Sequence, residues 1–175
     1  MKKTLVLLIC TIILLLSGTK QVSAKEVDPS RVVQNRDEAD LRAEKMRVVL
    51  SKYNSPMIGL EDVLIKTAEK YNLDWTIMAA IAGTESSFAK RMPYQCINPY
   101  GWGIYGDNKL CFKSLEDSIE GVAAGLAKKY NISSLESIAR TYNTVSTDGW
   151  ITHTRFFMNK IKNAEVPVSA LPIEL

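Results

Sequence analysis

Glu85 stands at the end of an apolar run, Ala79-Ile-Ala-Gly-Thr-Glu85-Ser-Ser-Phe88. Beyond it comes Asn98-Pro-Tyr-Gly-Trp-Gly-Ile-Tyr105, dense in glycine and aromatic residues. A carboxyl group held in apolar surroundings keeps its proton to higher pH and can serve as a general acid. Aromatic faces nearby suit sugar rings. Tyr100, Trp102, Tyr105 and Trp150 are the candidates for such stacking, with burial in a small core as the competing role for each. Ser86 and Ser87 either orient the carboxyl or end the helix. Asp107 is the local candidate for a second carboxylate, set against the ordinary preference of Asp for turns. Glu116 and Asp117 read as first-turn residues favoured by the helix dipole.

Cys96 and Cys111 bracket the Gly/aromatic segment. Two readings compete: a disulfide, or two buried thiols. An exported chain favours the disulfide. By chain entropy a bridge of this span contributes roughly 3 kcal/mol. A Cys-His hydrolase fits poorly, because the one histidine, His153, lies on a predicted helix without an orienting partner. No His/Cys/Asp cluster has zinc spacing and no EF-hand loop is present, so neither a metal nor another cofactor is expected. Phosphate-cradling glycine motifs are absent too.

The start of the chain supplies the export signal. Lys2 and Lys3 precede the apolar run Leu5–Leu16, and Val22-Ser23-Ala24 permits cleavage. Residues 1–24 therefore read as a signal peptide. The run falls short of the roughly 20 residues of a membrane span. An uncleaved anchor is the alternative; Cys10 follows Ile9, where lipidation would want a small residue. The chain carries a formal charge of +3, and Lys2, Lys3 and Lys20 supply three positive charges to residues 1–24, which hold no acid. The exported remainder is formally neutral, which gives no reason to expect nucleic acid or an anionic membrane as partner. No stable membrane anchor is expected after cleavage. The expected location is secreted, periplasmic or cell-envelope.

The elements that must position Glu85 follow from periodicity. Residues 25–36 read as a polar, flexible lead-in and Asp37–Tyr53 as a helix, together an N-terminal segment over 25–54. Leu60 to Tyr71 gives a second helix. Asp74 is a suitable N-cap for a third, Trp75 to about Ser86, on which Met78, Ile81, Ala82 and Glu85 share one stripe. Gly83 costs that helix about 1 kcal/mol against Ala, so a close approach is expected there. Trp102–Tyr105 and Leu110–Phe112 predict a small β-hairpin around Gly106-Asp107-Asn108-Lys109. Ser114/Asp117 and Ser133/Glu136 resemble capping boxes opening two more helices. A last helix follows Thr147-Asp148-Gly149, with Ile151, Thr154, Met158 and Ile161 on one face. The fold class is mainly α, with a catalytic domain over 55–166 and a tail over 167–175.

Taken together, these residues resemble a known group. Thr84-Glu85-Ser86-Ser87-Phe88 is similar to the Glu-Ser signature of lysozyme-like lytic transglycosylases and of autolysin-type β-N-acetylglucosaminidases. Asn98-Pro-Tyr-Gly101-Trp-Gly-Ile104 resembles the Asn-x-x-Gly-Ile segment of the glucosaminidases. Phe112-Lys-Ser-Leu-Glu116-Asp-Ser-Ile119 is similar to their next helix start. Ala139-Arg-Thr-Tyr142-Asn143 resembles the Ala-x-x-Tyr-Asn motif of the transglycosylases. The similarity spans about Asp62 to Ile161. It implies a lysozyme-like helical domain that cleaves β-1,4 bonds of peptidoglycan between N-acetylglucosamine and N-acetylmuramic acid. Glu85 would be the acid, with Tyr142 near it or the sugar and Asn143 on the substrate. Gly101-Trp-Gly-Ile replaces the transglycosylases' Gly-Leu-Met-Gln, and Asn143-Thr144 replaces Asn-Ala-Gly. Hydrolysis and anhydro-sugar formation both stay open. A silent glycan-binding module or an envelope assembly scaffold on the same fold are the non-enzymatic alternatives.

Overall fold

The computed structural model describes residues 29–104, 106 and 108–167, with side chains from residue 41 onward. The expected signal peptide, the tail from residue 168, Tyr105 and Asp107 lie outside the described residues. The chain divides into two units, Met1–Gln34 and Asn35–Leu175. Of the first, only the opening of helix α1 is described.

Six helices make up the described part: α1 Pro29–Lys52, α2 Glu61–Lys70, α3 Ile77–Ser86, α4 Leu115–Lys129, α5 Leu135–Tyr142 and α6 Thr147–Lys162. The mainly α class is as expected. Helix α1 begins at Pro29, inside the stretch expected to be a flexible lead-in. Proline's fixed φ suits a first helical position, and the polar composition that suggested a loop does not oppose a helix.

Helix α3 is the centre of the molecule. Ile77 to Gly83 are all buried, so this helix has no polar face. The position of Glu85 in line with Met78, Ile81 and Ala82 therefore does not set it apart, since every face of the helix from Ile77 to Gly83 is buried. Helix α3 packs most extensively on α6, while α2 lies against α3 and α4, and α5 against α6. Ile81, Ile119, Leu126, Ile138 and Ile161 meet in one core. Gly83 is required by side chains. A Cβ there would stand 2.8 Å from Phe88 Cζ and 3.0 Å from Phe157 Cδ2. Phe88, Phe157 and Tyr53 form an aromatic cluster with centroids 4.8–5.7 Å apart.

The caps show where local chemistry sets helix ends. Helix α3 starts at Ile77, after a turn in which Asp74 Oδ1 accepts from the Thr76 N–H at 2.9 Å. Burial works to raise the Asp74 pKa, but Lys162 and Thr76 outweigh it and hold the carboxyl below its ordinary value. Ser114 accepts from the Asp117 N–H at 3.1 Å as expected, while the Asp117 carboxylate reaches one residue further back than a capping box does and accepts from the Lys113 N–H at 3.0 Å. The cap of α5 falls one residue later than the Ser133/Glu136 pattern. Ser134 accepts from the Ser137 N–H at 3.1 Å.

Candidate functional site

Helix α3 ends one residue after Glu85, and the ending is abrupt. Ser87, Phe88 and Ala89 all adopt left-handed backbone, with φ of 52°, 58° and 65°. Each such non-glycine residue costs roughly 1–2 kcal/mol. The turn is held by Ser86, whose Oγ accepts from the Ala89 N–H at 2.9 Å, and by Ser55, whose hydroxyl donates to the Phe88 carbonyl at 2.9 Å. Its effect is to fold Phe88 back under Gly83 into the core. Glu85 is left at the surface, where the helix emerges.

Glu85 is exposed, contrary to the expectation of an apolar surround. Protein around the carboxyl still removes enough hydration to raise its pKa above the usual carboxylate value. A hydrogen bond works in the opposite direction: Trp150 Nε1–H donates to Oε1 at 2.6 Å. A Cβ placed on Gly101 would sit 3.5 Å from Oε2, and Gly101 has φ of +61°. Glu85 thus lies between the indole of α6 and the backbone of the Gly101 loop.

That loop is fastened by polar bonds. Asn98, 1% exposed, donates from Nδ2 to the Trp102 and Leu110 carbonyls at 2.7 Å each, and its Oδ1 accepts from the Trp102 N–H at 3.1 Å. Ser86 Oγ lies 2.7 Å from the Pro99 carbonyl. Cys96 and Cys111 form a disulfide, and Ile97 pairs with Phe112 in an isolated antiparallel bridge. No strand is formed among the described residues, and Trp102 lies in a turn rather than a hairpin arm. Positive φ at Gly101 and Gly103 accounts for this, since both bend the backbone away from extended geometry.

Several residues expected to meet substrate face inward. Ser86 and Asn98 are buried and committed to the loop. Tyr100 is wholly buried in the core, with a hydroxyl that has no hydrogen-bond partner among the described residues. Burial pushes that hydroxyl's pKa far up. Trp150, 3% exposed, has no free face for a sugar, because Tyr142 stacks on it at 5.0 Å and 30°. Asn143 accepts from the Ser146 N–H at 2.9 Å and so turns the chain into α6.

Two of the aromatics expected at the site do reach an open space. Trp102 lies over α4 at Gly125, where a Cβ would come within 2.5 Å of the indole. Trp102 and the half-exposed Tyr142 line a cleft of about 460 Å³ with Gly101, Leu110, Tyr130 and Thr144. The Tyr142 hydroxyl donates to the Tyr100 carbonyl at 2.6 Å. Burial of that hydroxyl, with the charge of Glu85 beside it, raises its pKa well above the ordinary phenol value. Tyr142 and Gly101 therefore connect the cleft to Glu85. Sequence reading missed the cleft contributions of Lys129, Tyr130, Thr141 and Thr144, and the donor role of Trp150. None of these carries a local spacing signal.

No group of three or more His, Cys, Asp or Glu among the described residues could hold a metal ion. No helix among them is long and apolar enough to cross a membrane. No protein-family model, no curated protein and no solved structure matches the chain.

Proposed function

We propose that the protein is an exported enzyme that cleaves β-1,4 bonds between N-acetylglucosamine and N-acetylmuramic acid in peptidoglycan, on a lysozyme-like helical fold. The observation that carries this reading is the setting of Glu85. Its pKa is raised, one oxygen is held by an indole N–H, and it adjoins a cleft lined by Trp102 and Tyr142. The Glu-Ser and Tyr-Asn motif resemblances point the same way, and the disulfide suits an oxidising compartment.

Two-carboxylate glycosidases place the pair about 5–9.5 Å apart, according to stereochemistry. No other carboxylate contributes to the raised pKa of Glu85, and Asp107, the candidate second carboxylate, lies outside the described residues. A single-acid route fits. Glu85 gives its proton to the leaving glycosidic oxygen. The substrate's own N-acetyl group, as an oxazolinium later opened by water, or its 6-hydroxyl then captures the oxocarbenium-like centre, and the Glu85 carboxylate takes back the proton lost by the water or the hydroxyl. Trp102 and Tyr142, which line the cleft, would contact the sugars with the ring surface left open by their packing on one another and on Tyr130 and Trp150.

Digestion of purified peptidoglycan with mass spectrometry of the products tests the proposal. Reducing N-acetylglucosamine, reducing N-acetylmuramic acid and anhydromuramic ends separate the cleavage modes. Glu85→Gln should lower activity at least about 100-fold, the usual scale for a general acid. Equal activity in both proteins would remove Glu85 from the chemistry. Binding of the polymer by both with no fragments released would make the domain a glycan-binding module.

A further inference from the structure

We infer that Trp150 is a positioning residue for Glu85: its indole fixes which carboxyl oxygen carries the acid proton and aims that oxygen at the Gly101 edge of the cleft. The inference rests on the reading of Glu85 as the acid. An indole N–H only donates. The 2.6 Å bond to Oε1 therefore requires Oε1 to be an acceptor when the carboxyl is protonated. A carbonyl oxygen accepts better than a hydroxyl oxygen, so this bond favours the proton on Oε2. Oε2 is the oxygen nearer Gly101, where the missing Cβ keeps the approach open.

The indole is itself held rigidly. Trp150 is 3% exposed and stacked on Tyr142, whose hydroxyl is tied to the Tyr100 carbonyl. A stack and two hydrogen bonds thus link the loop, α5 and α6 to one oxygen of Glu85. This resolves why the tryptophan is buried yet lies at the site. It has no face for a ligand, and its single polar atom points at the acid. Among the described residues, Tyr142 is the titratable side chain that feels the charge of Glu85, with Tyr100 and Tyr130 acting on it in turn and Lys129 on the cleft wall. Tyr142 stays protonated across any range in which a carboxyl titrates.

The test uses two independent readouts on the purified protein. In the first, Glu85 is titrated through its side-chain carbon signal while the Trp150 indole N–H resonance is followed in the same samples. The indole signal should move with the midpoint of Glu85 and stop moving in Glu85→Gln. An indole resonance indifferent to Glu85 overturns the inference without any need for a folded tryptophan variant. In the second, Trp150→Phe keeps a ring and removes the donor. Its kcat should fall about 10–100-fold with KM within twofold. The alkaline limb of its pH profile should move to higher pH, because the lost hydrogen bond had favoured the carboxylate. An unchanged kcat, or a limb that stays in place, overturns the role. A wild type that cleaves no glycan while its indole still follows Glu85 defeats the functional reading, and the positioning role with it, but leaves the hydrogen bond established.

Discussion

Glu85 and Gly101 face one another, yet they arrive there by opposite means. Glu85 is carried by α3, whose residues from Ile77 to Gly83 are buried among apolar side chains. Gly101 is carried by a loop without strands, held by the Asn98 amide, the Ser86 hydroxyl and the Cys96–Cys111 disulfide. Apolar packing spreads its contribution over many contacts, each small. Buried polar fastening concentrates it in a few groups, each costly to leave unpaired. One half of the site should tolerate conservative change, and the other should fail at single atoms.

The sharpest form of that contrast is a pair of substitutions. Asn98→Ala removes three hydrogen bonds and frees two carbonyls and one N–H in a partly buried setting. At a net 0.5–1.5 kcal/mol per bond the loss of three should cost roughly 1.5–4.5 kcal/mol by denaturant unfolding, and activity should vanish with the loop. Ile81→Val trims one methylene from α3 and should cost about 0.5–1.5 kcal/mol with activity retained. Equal costs would break the comparison.

Replacing both Cys96 and Cys111 by Ser comes next. The bridge spans a sequence separation of 15, and its loss should cost about 3 kcal/mol. The loop should suffer more than the helices. Amide exchange is expected to quicken in residues near Gly101 before it changes in α3. Uniform acceleration throughout the chain would show that the disulfide supports the whole fold rather than this wall of the site.

The same contrast explains what could be read from the residues alone. Helices α2, α4 and α6 follow from apolar periodicity because their cores are built from near neighbours on one face. The Ser114/Asp117 cap was legible because both partners lie within one turn. The α5 cap was off by one because Ser133 and Ser134 are chemically equivalent, and only the path of the chain selects the second. Glu85 at a helix end, the Cys pair and the glycine-rich loop were all visible. The inward direction of Ser86, Asn98 and Tyr100 was not. Each looks polar enough for a ligand, and only tertiary geometry spends that polarity on the protein itself. Trp150 was the least accessible, since its bond to Glu85 crosses 65 positions with no spacing rule behind it.

Tyr100 is the exception within the loop and gives the smallest expected effect. Its ring is wholly buried in the core, so at this point the loop is anchored as α3 is, by apolar contact. Its hydroxyl has no partner among the described residues. A buried unpaired hydroxyl costs roughly 1–3 kcal/mol, so Tyr100→Phe should be neutral or more stable by about 1 kcal/mol. The pH dependence carries the same sign. The folded-state pKa of Tyr100 is raised, so the unfolded chain loses this proton first and stability falls as pH rises above about 10. Tyr100→Phe should flatten that fall in part, with Tyr142 and Lys70 among the groups that keep the rest. Thermal unfolding at pH 7 and at alkaline pH would decide it. A loss above about 1 kcal/mol at pH 7 would mean that the hydroxyl is satisfied after all. Polar fastening would then extend to the loop's most deeply buried apolar anchor, and the division between the two halves of the site would be one of degree.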